Sequence, residues 1–199
     1  MQLPTIAEIE MLHKKYASSP AAFATVFTHC QIVGAIAEQL IAKGSFVVDV
    51  ELVKAACLLH DIGVYPLLDA AGKEKDPSQY ITHGILGEHI LQTEQLPQRL
   101  WRFASHHTGL GLTKQNIQDQ HLSLPAADYT AETAEERLVM YADKFHSKFA
   151  PYFNSFEWYK TESAKFGADK PATFEKLAAE FGIPNLEPLI KKYGHGLRA

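Results

Sequence analysis

AACLLHDIG, residues 55–63, is the stretch on which the reading of this chain turns. Asp49 offers an N-cap, and Leu52, Val53, Ala56, Leu59 and His60 then fall at helical spacing before Gly63 stops the run. The segment is therefore predicted as a helix that delivers an imidazole and a carboxylate, His60 and Asp61, at its C-terminal end. Outward from it the same chemistry recurs at His29, His83, the pair His106-His107, and Asp143. Each sits on or at the end of a predicted helix, and neighbours in this series lie about one helix and one loop apart. Successive helices of a bundle can then each bring one donor to a shared centre. That arrangement differs from the local ligand spacing of a zinc finger or an HExxH helix.

The residue types are consistent with one another. Imidazole and carboxylate without thiolate suit iron, manganese, cobalt, nickel or zinc. Asp61 has two oxygens and can bridge two ions: His60 and Asp61 would serve the first, and His83 with His106 or His107 the second. Two ions about 3.5–4 Å apart can share a water, lower its pKa and clamp both oxygens of a phosphoryl displacement, with no Ser, Cys or Thr nucleophile.

Helical periodicity extends over nearly the whole chain. Helices are predicted over 5–16, 21–41, 49–62, 83–92, 97–107, 130–148, 154–166, 171–181 and 187–193, with 65–81 as a mobile loop able to act as a lid and 46–48 as a plain link. No second apolar run is available to pair with 46–48, so no sheet is expected. The fold class is all-α, a single-domain helical bundle over residues 1–199.

At 199 residues, with 46% hydrophobic and 21% charged residues, the composition is that of an ordinary globular chain. The net charge of −4 speaks against general nucleic-acid binding, which needs a basic surface. The apolar runs are interrupted short of bilayer length, and the first residues lack the apolar core of a secretory signal, so a cytoplasmic location without a membrane span is expected. Cys30 and Cys57 form no CxxC pattern and read as reduced core thiols.

Five stretches carry a family resemblance: FTHCQIVGAIA around His29, AACLLHDIG around His60-Asp61, THGILGEHIL around His83, FASHHTGLG around His106-His107 and ERLVMYADKFHS around Asp143. In this ordered set the chain resembles the HD-domain superfamily of metal-dependent phosphohydrolases, and His60-Asp61-Ile62-Gly63 reproduces its HDIG form. The resemblance covers roughly residues 21–149, which makes 150–199 a helical C-terminal extension. It implies metal ligands at His29, His60, Asp61 and Asp143, joined in the dinuclear branches by His83 and by His106 or His107, with His60 and Asp61 as the catalytic pair. It also implies two divalent or mixed-valence ions, iron or manganese ahead of cobalt, nickel or zinc.

The chain departs from the pattern in two places. Val64 stands where many dinuclear members have a substrate-touching lysine, and His107-Thr108-Gly109-Leu110-Gly111 contains no GYP motif, which speaks against cyclic-di-GMP hydrolysis.

The expected activity is hydrolysis of a phosphate mono- or diester, a nucleotide or related small metabolite, by a metal-bound hydroxide. A di-iron oxygenase cleaving a C–C or C–P bond shares the ligand set and stands as the alternative; a non-catalytic nucleotide-sensing module is the third reading. Lys144, His146, Lys148 and Arg102 are candidate substrate contacts, His146 because it would lie one helical turn from Asp143. Arg99 is a further basic group near the predicted ligands. His13, His121 and His195 read as surface residues, His89 as surface or packing, Gly84 and Gly87 as points of close helix approach, and the aromatic run 152–159 as core, pocket wall or the face of a homodimer.

Overall fold

The structure, a computed structural model, describes residues 2–199. Its helices are α1 (Ile6–Tyr16), α2 (Pro20–Lys43), α3 (Val50–Leu59), α4 (His83–Thr93), α5 (Trp101–Ser105), α6 (Lys114–Asp119), α7 (Ala134–Asp143), α8 (Phe156–Ser163), α9 (Lys170–Phe181) and α10 (Glu187–Tyr193). Local chemistry sets their starts. Thr5 and Thr133 close capping boxes with Glu8 and Glu136, and Ser19, Asp49 and Ser155 cap α2, α3 and α8 through their side-chain oxygens.

The central helix is α2, which packs against α1, α3 and α7. Ile32, Val33, Ile36 and Leu40 are buried on its inner face, and His29 shares that face. By length and composition α2 is apolar enough to cross a membrane, contrary to the reading that every apolar run stops short; half of its most apolar window is buried inside the protein.

Gly63 is where α4 can approach. A Cβ there would stand 2.1 Å from the carbonyl oxygen of His83 and 2.2 Å from the amide nitrogen of Gly87. Gly84 and Gly87 make the matching approach to α5, where a Cβ would meet the Ala104 carbonyl oxygen and Cβ at 2.9 Å each. The bare turn at Gly63 thus places Asp61 against the first residue of α4, His83.

Three elements differ from the sequence reading. First, 65–81 is not one irregular loop. It opens with a 3-10 helix, Ile62–Leu67, whose residues Ile62 to Tyr65 are buried, and closes with another, Pro77–Thr82. Second, α7 stops at Asp143 rather than continuing to Lys148. The chain turns through Lys144 and Phe145 into β1 (His146–Ser147), which pairs antiparallel with β2 (Tyr152–Asn154). Third, β3 (Gly196–Arg198) joins β2 in parallel, which makes a three-stranded sheet where none was expected. Strands of two and three residues are too short to show a period of two.

His13, expected on the surface, is buried in the core. Its Nε2 lies 2.7 Å from the Leu58 carbonyl oxygen, which only accepts, so Nε2–H donates; Nδ1 then accepts from the Tyr65 hydroxyl at 2.7 Å. Burial lowers its pKa from 6.5 to about 4. The unfolded chain therefore takes up a proton that the folded chain refuses, and stability present above pH 6.5 falls away as the pH drops toward 4. The expected loss is about 3 kcal/mol. Denaturant titrations at pH 7 and pH 4.5 should show a smaller difference for His13→Gln than for the unaltered chain; equal differences would refute this account.

Candidate metal centre

Five helices meet at one point. His29 projects from the middle of α2, His60 caps the end of α3, and Asp61 follows it. His83 opens α4, His107 lies just beyond α5, and Asp143 ends α7. Among the described residues their donor atoms form two groups, His29–His60–Asp61–Asp143 and Asp61–His83–His107, each with all its atoms within 4.8 Å of one another. Asp61 belongs to both. Its Oδ2 lies 3.2 Å from His29 Nε2 and 3.4 Å from His60 Nε2, while its Oδ1 lies 3.4 Å from His107 Nε2 and 3.6 Å from His83 Nε2. Asp143 Oδ1 closes the first group, 2.9 Å from His29 Nε2 and 3.5 Å from His60 Nε2.

The far nitrogens show which way these rings present their protons. His60 Nδ1 donates to the Cys57 carbonyl at 2.8 Å, His83 Nδ1 to the Tyr80 carbonyl at 2.7 Å and His107 Nδ1 to the Phe103 carbonyl at 3.0 Å. A carbonyl only accepts, so in the neutral ring each Nε2 is a lone pair aimed at the centre, as metal-ligating histidines are held. The Nε2 atoms of His83 and His107 stand 3.1 Å apart, two lone pairs face to face. His60 Nε2 and Asp61 Oδ1 are buried without a directed hydrogen bond, while Asp61 Oδ2 faces the Lys148 ammonium at 2.6 Å. Such orphaned atoms are costly unless a cation satisfies them, and the donor set fits divalent metal ions.

The electrostatics agree. Burial alone would raise the pKa of Asp61, but the charges of Lys148 and His60, with the imidazoles of His107 and His29 beside it, hold it well below the usual carboxylate range. Burial opposes charge on His60, yet Asp61 and its neighbours lift it well above the ordinary histidine value. His83 is pushed down to about 3, by burial first and then by His107. Without metal, the first group draws positive charge onto a ring, as a site built for cations would.

Other candidate residues divide. His106 points away from its neighbour: its ring meets Ser105 at 2.6 Å and Arg102 at 3.1 Å, outside both donor groups. Helix α5 ends at Ser105, and adjacent residues there face different ways. Arg102 is not a pocket residue either. It pairs with Glu136 at 2.7 Å and reaches the Thr130 carbonyl, tying α5 to α7. Arg99 pairs with Asp49. Lys144 is buried, bonded to Asp143 Oδ2 at 2.6 Å and to the His107 carbonyl at 3.0 Å. Lys148 reaches the centre from beyond β1, its Nζ 2.6 Å from Asp61 Oδ2 and 2.5 Å from the Tyr80 hydroxyl. His146, from the strand rather than the helix, touches His29, with the two Nδ1 atoms 2.8 Å apart.

A cavity of about 500 Å³ opens beside Asp143 and is lined by Lys148, Tyr80, Leu110, Trp158, Tyr159 and Arg198 among others. Of the aromatic run, Trp158 and Tyr159 face this cavity, whereas Phe153 is buried in the core. Cys30 and Cys57 are buried thiols whose pKa values burial raises, as core packing predicts. His89 and His121 are exposed.

His195 escaped the sequence reading. It is half-buried and lies 2.9 Å from His146 Nε2. Only the strand pairing brings it there, and nothing in its local sequence marks it.

Comparison with known proteins agrees with this geometry. The chain is 36% identical over 121 residues to "Uncharacterized protein MJ0778" of Methanocaldococcus jannaschii, a match spanning 59% of this chain and 64% of that protein. It is 37% identical over 99 residues to a tRNA (cytidine(56)-2'-O)-methyltransferase of Picrophilus torridus, spanning 50% of this chain but 25% of the enzyme. The chain thus covers less than two thirds of each of these relatives. In fold it resembles the HD domain of the Listeria monocytogenes phosphodiesterase PgpH, with a TM-score of 0.54 at 17% identity over 86% of this chain and 87% of that one. The same domain in complex with cyclic-di-AMP aligns over 96% and 99% of the two chains, at 15% identity and TM-score 0.54. The HD domain family model matches residues 26–148, the span that holds every residue of the two donor groups, and the chain belongs to that family.

Proposed function

We propose that the chain is a metal-dependent phosphohydrolase acting on a small phosphate mono- or diester, with a nucleotide or related metabolite as substrate class. The observation that carries this reading is Asp61, fully buried, with one oxygen turned to each donor group beside a cavity of substrate size. The fold neighbour is named a phosphodiesterase, and one of its structures holds a cyclic dinucleotide, which agrees with the reading. Held by the donor groups His29–His60–Asp61–Asp143 and Asp61–His83–His107, divalent ions would supply an acidified water and positive charge for phosphoryl displacement.

The protein's own residues have distinct tasks. The Nδ1–H bonds of His60, His83 and His107 hold three rings facing inward. Lys148 keeps its proton: burial disfavours the charge, but Asp61 and its neighbours raise its pKa well above the ordinary value. Its ammonium lies at the border of centre and cavity, where it can meet a phosphate oxygen. Trp158 and Tyr159 offer flat apolar walls to a base.

The test is phosphate release from a panel of nucleotides, measured anaerobically on chain loaded with manganese or ferrous ion. Release is expected without oxygen. Lys148→Met should lower kcat/KM on the order of 100-fold while metal remains bound. Oxygen uptake in place of phosphate release would move the chain to the oxygenase reading, and binding of nucleotides without turnover would move it to the sensing one.

A further inference from the structure

His60, His83 and His107 each give their outer N–H to a backbone carbonyl, a partner that cannot change its role. His29 differs. Its outer nitrogen faces His146 Nδ1 at 2.8 Å, and His146 Nε2 faces His195 Nδ1 at 2.9 Å. The rings lie edge to edge and nearly parallel, 26° between His29 and His146 and 22° between His146 and His195, with centroids 5.1 Å apart in both cases. The small sheet builds this row: β1 holds His146 opposite Phe153, and β3, which begins one residue after His195, pairs with the other edge of β2. The Ser155 amide donates to the Arg198 carbonyl at 2.7 Å and closes the end of the strand. Three imidazoles thus lead from the buried centre to a half-buried position.

A neutral imidazole has one N–H and one lone pair, so one end of such a row sets the direction of every bond in it. Without metal, His29 Nε2–H can donate to Asp143, 2.9 Å away, and the row then runs inward: His195 Nδ1–H to His146 Nε2, and His146 Nδ1–H to His29 Nδ1. A cation at the centre takes the Nε2 lone pair of His29. The row must then run outward, from His29 Nδ1–H to His146 and from His146 Nε2–H to His195. Protons balance in the exchange. The Nε2 proton of His29 leaves, two protons each cross one hydrogen bond inward, and His195 gains one from water on Nε2, so every ring stays neutral.

We propose that His146 and His195 are positioning residues that hold His29 in the tautomer a metal ion requires, and that metal binding reverses the direction of their hydrogen bonds. The inference rests on the metal reading of the centre and not on hydrolysis. It is tested on the full chain by zinc titration, with nitrogen-15 NMR of the imidazoles before and after loading. His195→Asn keeps an acceptor near the place of Nδ1; His195→Phe keeps a flat ring and loses the acceptor. The Phe variant should bind one zinc equivalent about tenfold more weakly, while Asn stays close to the unaltered chain. Zinc should move the protonated nitrogen of His146 from Nδ1 to Nε2. Equal affinity in the Phe variant, equal losses in both variants, an unmoved His146 tautomer or no zinc uptake by the unaltered chain would each overturn the proposal. Zinc binding with the expected tautomer change in a chain inert to every phosphate ester would sustain it and remove only the hydrolase reading.

Discussion

Asp61→Asn should strip the protein of metal and of phosphate release together. One carboxylate serves both donor groups, so the substitution removes a negative ligand from each at once. Replacing an oxygen by an amide nitrogen preserves shape but turns N–H donors toward rings whose lone pairs need a cation. It also leaves the Lys148 ammonium without its partner at 2.6 Å. Outer-shell changes around metal sites cost 10–100-fold in affinity; loss of a shared ligand should cost at least about 100-fold at each group and reduce turnover on the order of a thousandfold or more. Elemental analysis after dialysis and a phosphate-release assay read the two effects. Retention of metal with full turnover would remove Asp61 from the centre. Asn is preferred to Ala because a cavity beside an unpaired buried lysine would also lower stability. Helical circular dichroism close to that of the unaltered chain is expected for Asn.

Gly63→Ala should produce the largest loss of stability from a single methyl group. The added carbon would lie 2.1 Å from the His83 carbonyl oxygen and 2.2 Å from the Gly87 amide. Both are backbone atoms, so no side chain can swing aside, and α4 must shift as a body. Overpacking of this kind costs roughly 3 kcal/mol, a fall of about 10 °C in Tm for a chain of this length. Because His83 opens α4, the shift should also weaken the Asp61–His83–His107 group more than the other. A melting temperature within about 2 °C of the unaltered value would show that α4 does not rest on this contact.

The glycine of HDIG was legible as a letter in a motif, and its physical reason, contact with α4, came only from the packing. The positions of the two donor groups were legible because their residue types are scarce and their order along the helices is distinctive. The choice between His106 and His107 was not. It depends on where α5 ends, and a difference of one residue swings the ring from the centre to Arg102. Lys148 reads as a basic group close to the expected ligands, and His146 as lying one helical turn from Asp143. They stand near the centre by another route, because the chain leaves α7 at Asp143 and folds back as strand. His13 shows the opposite error. A polar residue on an amphipathic helix reads as solvated, yet the Tyr65 hydroxyl and Leu58 carbonyl make its burial tolerable, and neither partner is visible in the sequence around it.

The inward aim of three rings has a consequence for robustness. His60 and His83 are fixed by a carbonyl three residues earlier and His107 by one four residues earlier, so a single turn of chain suffices to orient each. The partner of His29 is 117 residues away. Loosening the short sheet would leave His83 and His107 correctly turned toward Asp61 and would release only His29. The two halves of the centre are therefore unequal under stress: one is anchored by local chain, the other by the most distant contact in the centre, and it is the second that heat or denaturant should dismantle first.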